Sequence, residues 1–201
     1  MSEGLAIVSV KPATLHSGVQ TPETIAYHEA GHAIMRRLCG LHFDSVGLRV
    51  DHGFVASGKT TEEAFKIVSG NEAPPCSPLP DVSSEFRKPL AFRRCCVALA
   101  GLQAELLYHG IELPGGPIVR HDHDHKRGRN ALIDSTGRCT NEQLYYAELQ
   151  TRRYLELAWM HVHGTAMALL ERFDATGEGI LCADNPADAR FFQRLPGWSD
   201  E

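Results

Sequence analysis

Two histidines and a glutamate near the start of the chain have the spacing of a zinc hydrolase motif. His28, Glu29 and His32 form the pattern H-E-x-x-H, which on a helix places the two imidazoles one turn apart on the same face. Two imidazole nitrogens at that separation can share one tetrahedral zinc ion. Glu29 would lie beside the metal and could take a proton from a water molecule activated there. The pattern therefore predicts a zinc site with Glu29 as the general base.

The residues around the motif predict a well-defined helix. Thr21 suits the N-cap, Pro22 the first helical position, and Gly40 a position just past the end of the helix. Residues 25–38 are largely apolar, so we expect the helix to be buried. Buried polar side chains need partners. A bound metal would supply one, and we therefore prefer a metal site to a surface helix that carries these residues by chance.

A hydrolytic zinc site needs a third protein ligand and leaves its fourth position to water. The densest group of possible ligands is the sequence HDHDH at residues 121–125. Asp124 could reach the metal from the start of the helix that follows, and Asp122 competes with it. Spacing alone excludes none of the three histidines of the group, which are His121, His123 and His125. The alternative interpretation is a charged helix start that is favoured by the helix dipole.

Hydrophobic periodicity predicts a mostly α-helical α+β fold, in which a helical bundle carries one small sheet or hairpin next to the H-E-x-x-H helix. The elements predicted after that helix are a hairpin of strands over 45–50 and 54–57, an apolar helix over 84–109, a shorter helix over 123–135, a long helix from Thr140 to about Phe173, and a short helix from Asn185.

Composition favours one globular domain in a reducing compartment. The chain has 201 residues, 43% of them hydrophobic, and a net charge of −5, which gives no electrostatic reason to expect nucleic acid or an anionic membrane as a partner. No apolar run is long enough to cross a bilayer. The six cysteines include no C-x-x-C pair, so we expect reduced thiols in a cytoplasmic protein. The predicted organisation is a lead-in over 1–20, a single domain over 21–195 and a tail over 196–201.

A second motif competes with the first. Residues Gly53–Thr60 read GFVASGKT and match the P-loop pattern G-x-x-x-x-G-K-[ST], in which Lys59 would contact phosphates and Thr60 a magnesium ion. We disfavour this interpretation because Phe54 and Val55 are strand formers, whereas a phosphate-binding loop must curl. A run of parallel strands, which such a fold requires, is also not predicted.

Four segments together resemble the FtsH peptidase family, zinc proteases usually fused to an AAA ATPase. The segment IAYHEAGHAI at 25–34 resembles the signature helix of that family, and FDSVGLRV at 43–50 is similar to its first strand. The segment LAGLQAEL at 99–106 resembles its L-G-G-R-A-A-E-E helix, and DHKRG at 124–128 falls where the family has D-L-x-x-A. The four segments occur in the family's order.

The resemblance implies roles for particular residues. The aspartate of the family's D-L-x-x-A segment is its third zinc ligand, so the resemblance assigns that role to Asp124. It also implies that a substrate peptide adds as a strand to the edge of the small sheet. The residues expected at that edge are Gly53, Phe54, Val55, Ala56 and Ser57.

The sequence thus predicts a zinc-dependent endopeptidase that acts on peptides or unfolded proteins, either independently of an ATPase or with a separate ATPase subunit or as a homo-oligomer. Glu105 is a candidate to orient a zinc-bound imidazole through its other nitrogen, although an ordinary buried carboxylate would explain it equally well. The alternative functions are a non-catalytic binding or regulatory module stabilised by zinc and, less favoured, the nucleotide-binding protein described above.

Overall fold

A computed structural model of the chain describes residues 21–50, 52–56, 90–118 and 123–192. These residues form a mostly helical fold with one three-stranded antiparallel sheet, which confirms the predicted α+β class. The helices are α1 (Pro22–Leu38), α2 (Leu90–Tyr108), α3 (His123–Thr136), α4 (Asn141–Leu157), α5 (Trp159–Thr176) and α6 (Pro186–Ala189), and the strands are β1 (Ser45–Leu48), β2 (Gly53–Ala56) and β3 (Gly179–Cys182).

Helix α1 is the central helix and carries the predicted end signals. The Thr21 hydroxyl accepts a hydrogen bond from the Thr24 amide, and Pro22 is the first helical residue. At the other end Gly40 has a positive φ of 65°, a conformation that glycine adopts without steric cost. Because most of α1 is buried, the polar side chains it carries are held in fixed surroundings.

Helix α2 packs closely against α1 through small residues. Ala30 and Ala33 of α1 and Ala100 and Ala104 of α2 are fully buried. A methyl group on Gly31 would lie 2.6 Å from Cβ of Ala104, so the two backbones approach too closely for a larger side chain there. This close packing brings the middle of α2 against the H-E-x-x-H face of α1.

The sheet has the order β2-β1-β3, with β1 antiparallel to both neighbours. Val46 of β1 pairs with Val55 of β2 on one side and with Leu181 of β3 on the other. The hairpin of β1 and β2 is as predicted from the sequence, whereas the third strand is an addition. Among the described strands, β2 lies at one edge of this sheet, and it packs beside α1.

The predicted long helix from Thr140 to about Phe173 is wrong in one respect, because two helices occupy its place. Its capping box is present, since the Gln143 amide donates to the Thr140 hydroxyl and the Gln143 side chain accepts from the Thr140 amide. The helical path breaks at Ala158, which has φ −99° and ψ 16°. The break lets α4 pack on α2 while α5 packs on α1. A tertiary requirement therefore overrides a sequence in which neither glycine nor proline marks the break.

Candidate metal centre

Two helices bring three potential ligand atoms together. The Nε2 atoms of His28 and His32 on α1 are 3.0 Å apart. An Oδ2 atom of Asp124, in the first turn of α3, lies 3.2 Å from each of them. Of the residues named as candidate third ligands, the structure thus brings Asp124 to the histidine pair.

The outer nitrogen of each imidazole is fixed by an acceptor. His28 Nδ1 lies 2.5 Å from Oε1 of Glu105 on α2, and His32 Nδ1 lies 2.7 Å from the Val97 carbonyl oxygen. Because an ionised carboxylate and a carbonyl only accept hydrogen bonds, both Nδ1 atoms act as donors. In neutral imidazoles both Nε2 atoms then present lone pairs. When both imidazoles are neutral, two nitrogen lone pairs and a carboxylate oxygen therefore converge on one point, an arrangement that could hold a metal ion.

The spacing of the three atoms suits a zinc ion. Ligands at zinc distances of about 2.0–2.1 Å in tetrahedral geometry lie roughly 3.3 Å from one another. The observed separations are 3.0, 3.2 and 3.2 Å, so a small adjustment would admit the ion. Two nitrogens and one carboxylate oxygen are also a donor set that zinc accepts.

A proton competes for the same position. Burial alone would lower the pKa of His28, but hydrogen bonds to Asp124 and Glu105 outweigh it and raise that pKa to about 10. Burial likewise opposes ionisation of Asp124, yet hydrogen bonds from His28 and His32 hold the pKa of its carboxyl well below the usual range. The surroundings therefore favour positive charge between these groups, as a proton or as a metal ion.

Glu29 lies beside the convergent atoms without belonging to them. Its side chain is 9% exposed and lines the same cleft as His32 and Asp124. Burial raises the pKa of its carboxyl, against the lowering effect of the two histidines. A carboxyl with a raised pKa next to a metal position is suited to take up and return a proton.

Two glycines make room for the site. A methyl group on Gly101 of α2 would lie 2.4 Å from Cε1 and Nε2 of His28, and one on Gly53 of β2 would lie 2.2 Å from Cγ of Glu29. Gly101 is a residue that sequence reasoning did not select. The available signal was a glycine inside a helix, which costs stability and often marks a close approach.

The candidate metal site opens into a cleft of about 590 Å³ between α1, α2, α3 and β2. Of the predicted edge residues, Gly53, Phe54 and Val55 line this cleft, and Ala56 is exposed at the end of β2. Ser57 lies outside the described residues. A strand edge therefore borders the same space as Glu29.

The remaining candidate ligands do not join the convergent group. His123 is exposed and lines the cleft, and His125 is buried. His121 and Asp122 lie outside the described residues. A second possible ion-binding group, which sequence reasoning missed, consists of His42, Asp44 and Asp184. It lies where β1 begins and is more exposed.

The competing P-loop motif falls partly on the sheet. Its first four residues, Gly53–Ala56, form β2 and pair with β1, whereas its last four lie outside the described residues. The half of the motif that the structure describes is extended and hydrogen-bonded to a neighbouring strand. Its backbone amides do not curl into a phosphate-binding nest.

Comparisons with protein-family models, with curated proteins and with solved structures found no match to this chain. Among the described residues, no helix combines the length and the apolar character needed to cross a membrane.

Proposed function

We propose that this chain is a zinc-dependent endopeptidase of the type that the FtsH resemblance implies. The observation that carries the proposal is the convergence of two imidazole nitrogens and a carboxylate oxygen at an open cleft that Glu29 also lines. His28, His32 and Asp124 would hold the zinc ion. A zinc ion held by such ligands lowers the pKa of water to about 7 and polarises a carbonyl group.

The other residues of the site have separate tasks. Glu29 accepts the proton of the attacking water and passes it to the leaving nitrogen of the cleaved peptide bond. Glu105 and the Val97 carbonyl hold the two imidazoles by their Nδ1 atoms, so that both Nε2 atoms face the metal position. Gly101 leaves the space that the His28 ring fills.

The substrate is a peptide or an unfolded chain. Among the described strands, β2 lies at an edge of the sheet, and it lines the cleft. An extended peptide could therefore pair with it and bring its backbone past Glu29. A folded protein cannot offer such a strand, so its degradation would need a separate ATPase subunit. A cytoplasmic location is supported by the free thiols of the five described cysteines, Cys39, Cys95, Cys96, Cys139 and Cys182.

A second candidate function is a non-catalytic binding module that zinc stabilises. It is favoured by one observation. The centre links three helices, because His28 of α1 contacts both Glu105 of α2 and Asp124 of α3. A metal ion there would stabilise the packing of these helices whether or not it also supported hydrolysis.

Digestion of unfolded casein separates the two functions. The zinc-loaded protein should produce peptides that mass spectrometry detects, and a chelator should stop their formation. Glu29→Gln should keep its zinc and lose hydrolysis by about three orders of magnitude or more. The matched control is Glu23→Gln, which changes an exposed glutamate of the same helix and should leave hydrolysis unchanged. Absence of hydrolysis by a fully zinc-loaded protein, or full activity of Glu29→Gln, would contradict the proposal.

A further inference from the structure

Three arginines line the cleft beside the candidate metal site. Arg36 follows His32 by four residues on α1, and Arg127 follows Asp124 by three residues on α3. Arg94 of α2 also lines the cleft, three residues before Val97, whose carbonyl holds the His32 ring. Residues three or four apart lie on the same helix face. The three helices around the candidate metal site thus each contribute one arginine to the lining of the same cleft.

Within the described part of the chain, these positive charges have little compensation from neighbouring side chains. Arg36 is half-buried and donates to the His42 carbonyl oxygen at 3.2 Å, which is a neutral partner. Burial and the charge of Arg127 both lower the pKa of the Arg36 guanidinium. Arg94 and Arg127 are exposed. The structure gives neither of them a hydrogen-bond or ion-pair partner among the residues it describes.

One carboxylate outside the candidate metal site is found in the described lining of the cleft. Within the described part of the cleft, Asp134 is the acidic residue outside the metal centre, and it follows Asp124 by ten residues on α3. One carboxylate cannot neutralise three guanidinium groups. The chain as a whole carries a net charge of −5. The local positive charge of the arginine cluster is therefore opposite in sign to the net charge of the chain. An anionic group of a bound ligand would compensate the cluster.

We propose that Arg36, Arg94 and Arg127 form a subsite for a carboxylate group of the substrate, so that the enzyme selects peptides with an acidic residue close to the cleaved bond. This inference rests on the proposed peptidase function. One helical turn is about 5.4 Å long and an extended peptide advances about 3.3 Å per residue. The selected aspartate or glutamate therefore lies one or two residues from the scissile bond. A carboxylate at the C-terminus of a peptide has the same chemistry and could occupy the same subsite.

Peptide binding tests the subsite without hydrolysis. The protein is zinc-loaded Glu29→Gln, and the probes are fluorescein-labelled, C-terminally amidated peptides that differ only by glutamate or glutamine at two adjacent positions. Fluorescence anisotropy should show about tenfold tighter binding of the glutamate peptide, the low end expected for hydrogen bonds between charged groups at an open site. Arg94→Gln combined with Arg127→Gln should abolish the preference. Arg129→Gln, which removes an arginine of α3 that does not line the cleft, should keep it.

Two further arms identify what holds the carboxylate. A glutamine peptide with a free C-terminus, compared with its amide, shows whether the chain end is the preferred source. The titrations are then repeated with chelator, which removes the metal ion. Binding of a carboxylate by the metal is lost under these conditions, whereas binding by the arginines remains. A preference for either carboxylate that persists with chelator and disappears in the double variant supports the subsite. Equal binding of charged and neutral peptides, or a preference that the double variant retains, overturns it.

The outcomes also separate this inference from the function on which it rests. If casein is cleaved while glutamate and glutamine peptides bind equally, the peptidase assignment stands and the subsite is wrong. If casein is not cleaved while the arginine-dependent preference is present, the anion subsite stands and the peptidase assignment is wrong.

Discussion

Replacing Gly101 by alanine tests whether the position of the His28 ring controls metal binding. The added methyl carbon would lie 2.4 Å from Cε1 and Nε2 of the ring, whereas carbon atoms in contact are about 3.5–4.0 Å apart. The ring must therefore move by about 1 Å. It cannot move freely, because Glu105 holds its Nδ1 atom at 2.5 Å.

This displacement exceeds what a zinc site tolerates. Metal–ligand distances in genuine sites agree with ideal values to about 0.2 Å, so a ring shifted by about 1 Å no longer supplies a ligand. Loss of an orienting partner alone typically costs ten- to a hundredfold in affinity. We therefore expect Gly101→Ala to weaken zinc binding by about a hundredfold or more. Overpacking should also cost about 1–3 kcal/mol of stability, partly offset by about 1 kcal/mol of helix propensity.

Gly128→Ala is the matched control, because it makes the same substitution inside helix α3. Its methyl carbon would lie 3.5 Å from the Leu99 side chain and 3.6 Å from Sγ of Cys95, which is ordinary contact. We expect unchanged zinc affinity and a gain of up to about 1 kcal/mol in stability. Competition with a chromogenic zinc chelator gives the affinities, and thermal unfolding gives the stabilities. Equal zinc affinity of the two variants would refute the reasoning.

Three other substitutions test the surroundings of the site and the core. Glu105→Gln removes the negative charge that contacts Nδ1 of His28 and should weaken zinc binding about ten- to a hundredfold, measured by competition with the chromogenic chelator. Unchanged zinc affinity would contradict the orienting role of Glu105. Asp124→Asn should lose zinc on dialysis, whereas Asp134→Asn, on the same helix, should keep it. The reverse order in metal analysis would contradict the assignment of Asp124 as the third ligand. Glu148 is fully buried. Burial raises the pKa of its carboxyl from 4.5 to about 8, although a hydrogen bond from the Ile118 amide acts to lower it. A raised folded-state pKa stabilises the fold at pH values below the unfolded pKa, and this contribution is lost as the pH rises through the folded pKa. The free energy of unfolding in urea should therefore be about 2 kcal/mol lower at pH 7.5 than at pH 5.5, and Glu148→Gln should not show this loss. The same loss in both proteins would contradict the attribution of this pH dependence to Glu148.

The features predicted correctly from the sequence are those that local signals determine. The caps of α1 depend on Thr21 and Pro22, and the spacing of the two histidines follows from helix periodicity. The hairpin follows from alternation around a turn. Each of these signals acts within a few residues and does not depend on the tertiary packing.

The remaining features depend on contacts between distant parts of the chain. Residues 121–125 offer five possible ligands, and the placement of Asp124 is decided by how α3 packs on α2. No glycine or proline marks the break at Ala158 in the sequence. The break depends instead on the packing of α4 and α5 against different helices. Arg36, Arg94 and Arg127 lie far apart in sequence and become a group only when three helices meet.

X-ray absorption at the zinc edge of the zinc-loaded protein tests the central claim most directly. The account predicts one zinc ion per chain, two imidazole ligands and oxygen ligands at about 2.0–2.1 Å, with no zinc retained by Asp124→Ala. A sulfur shell at about 2.3 Å would place the metal on cysteines instead. That shell, or a protein that binds no zinc, would contradict the account.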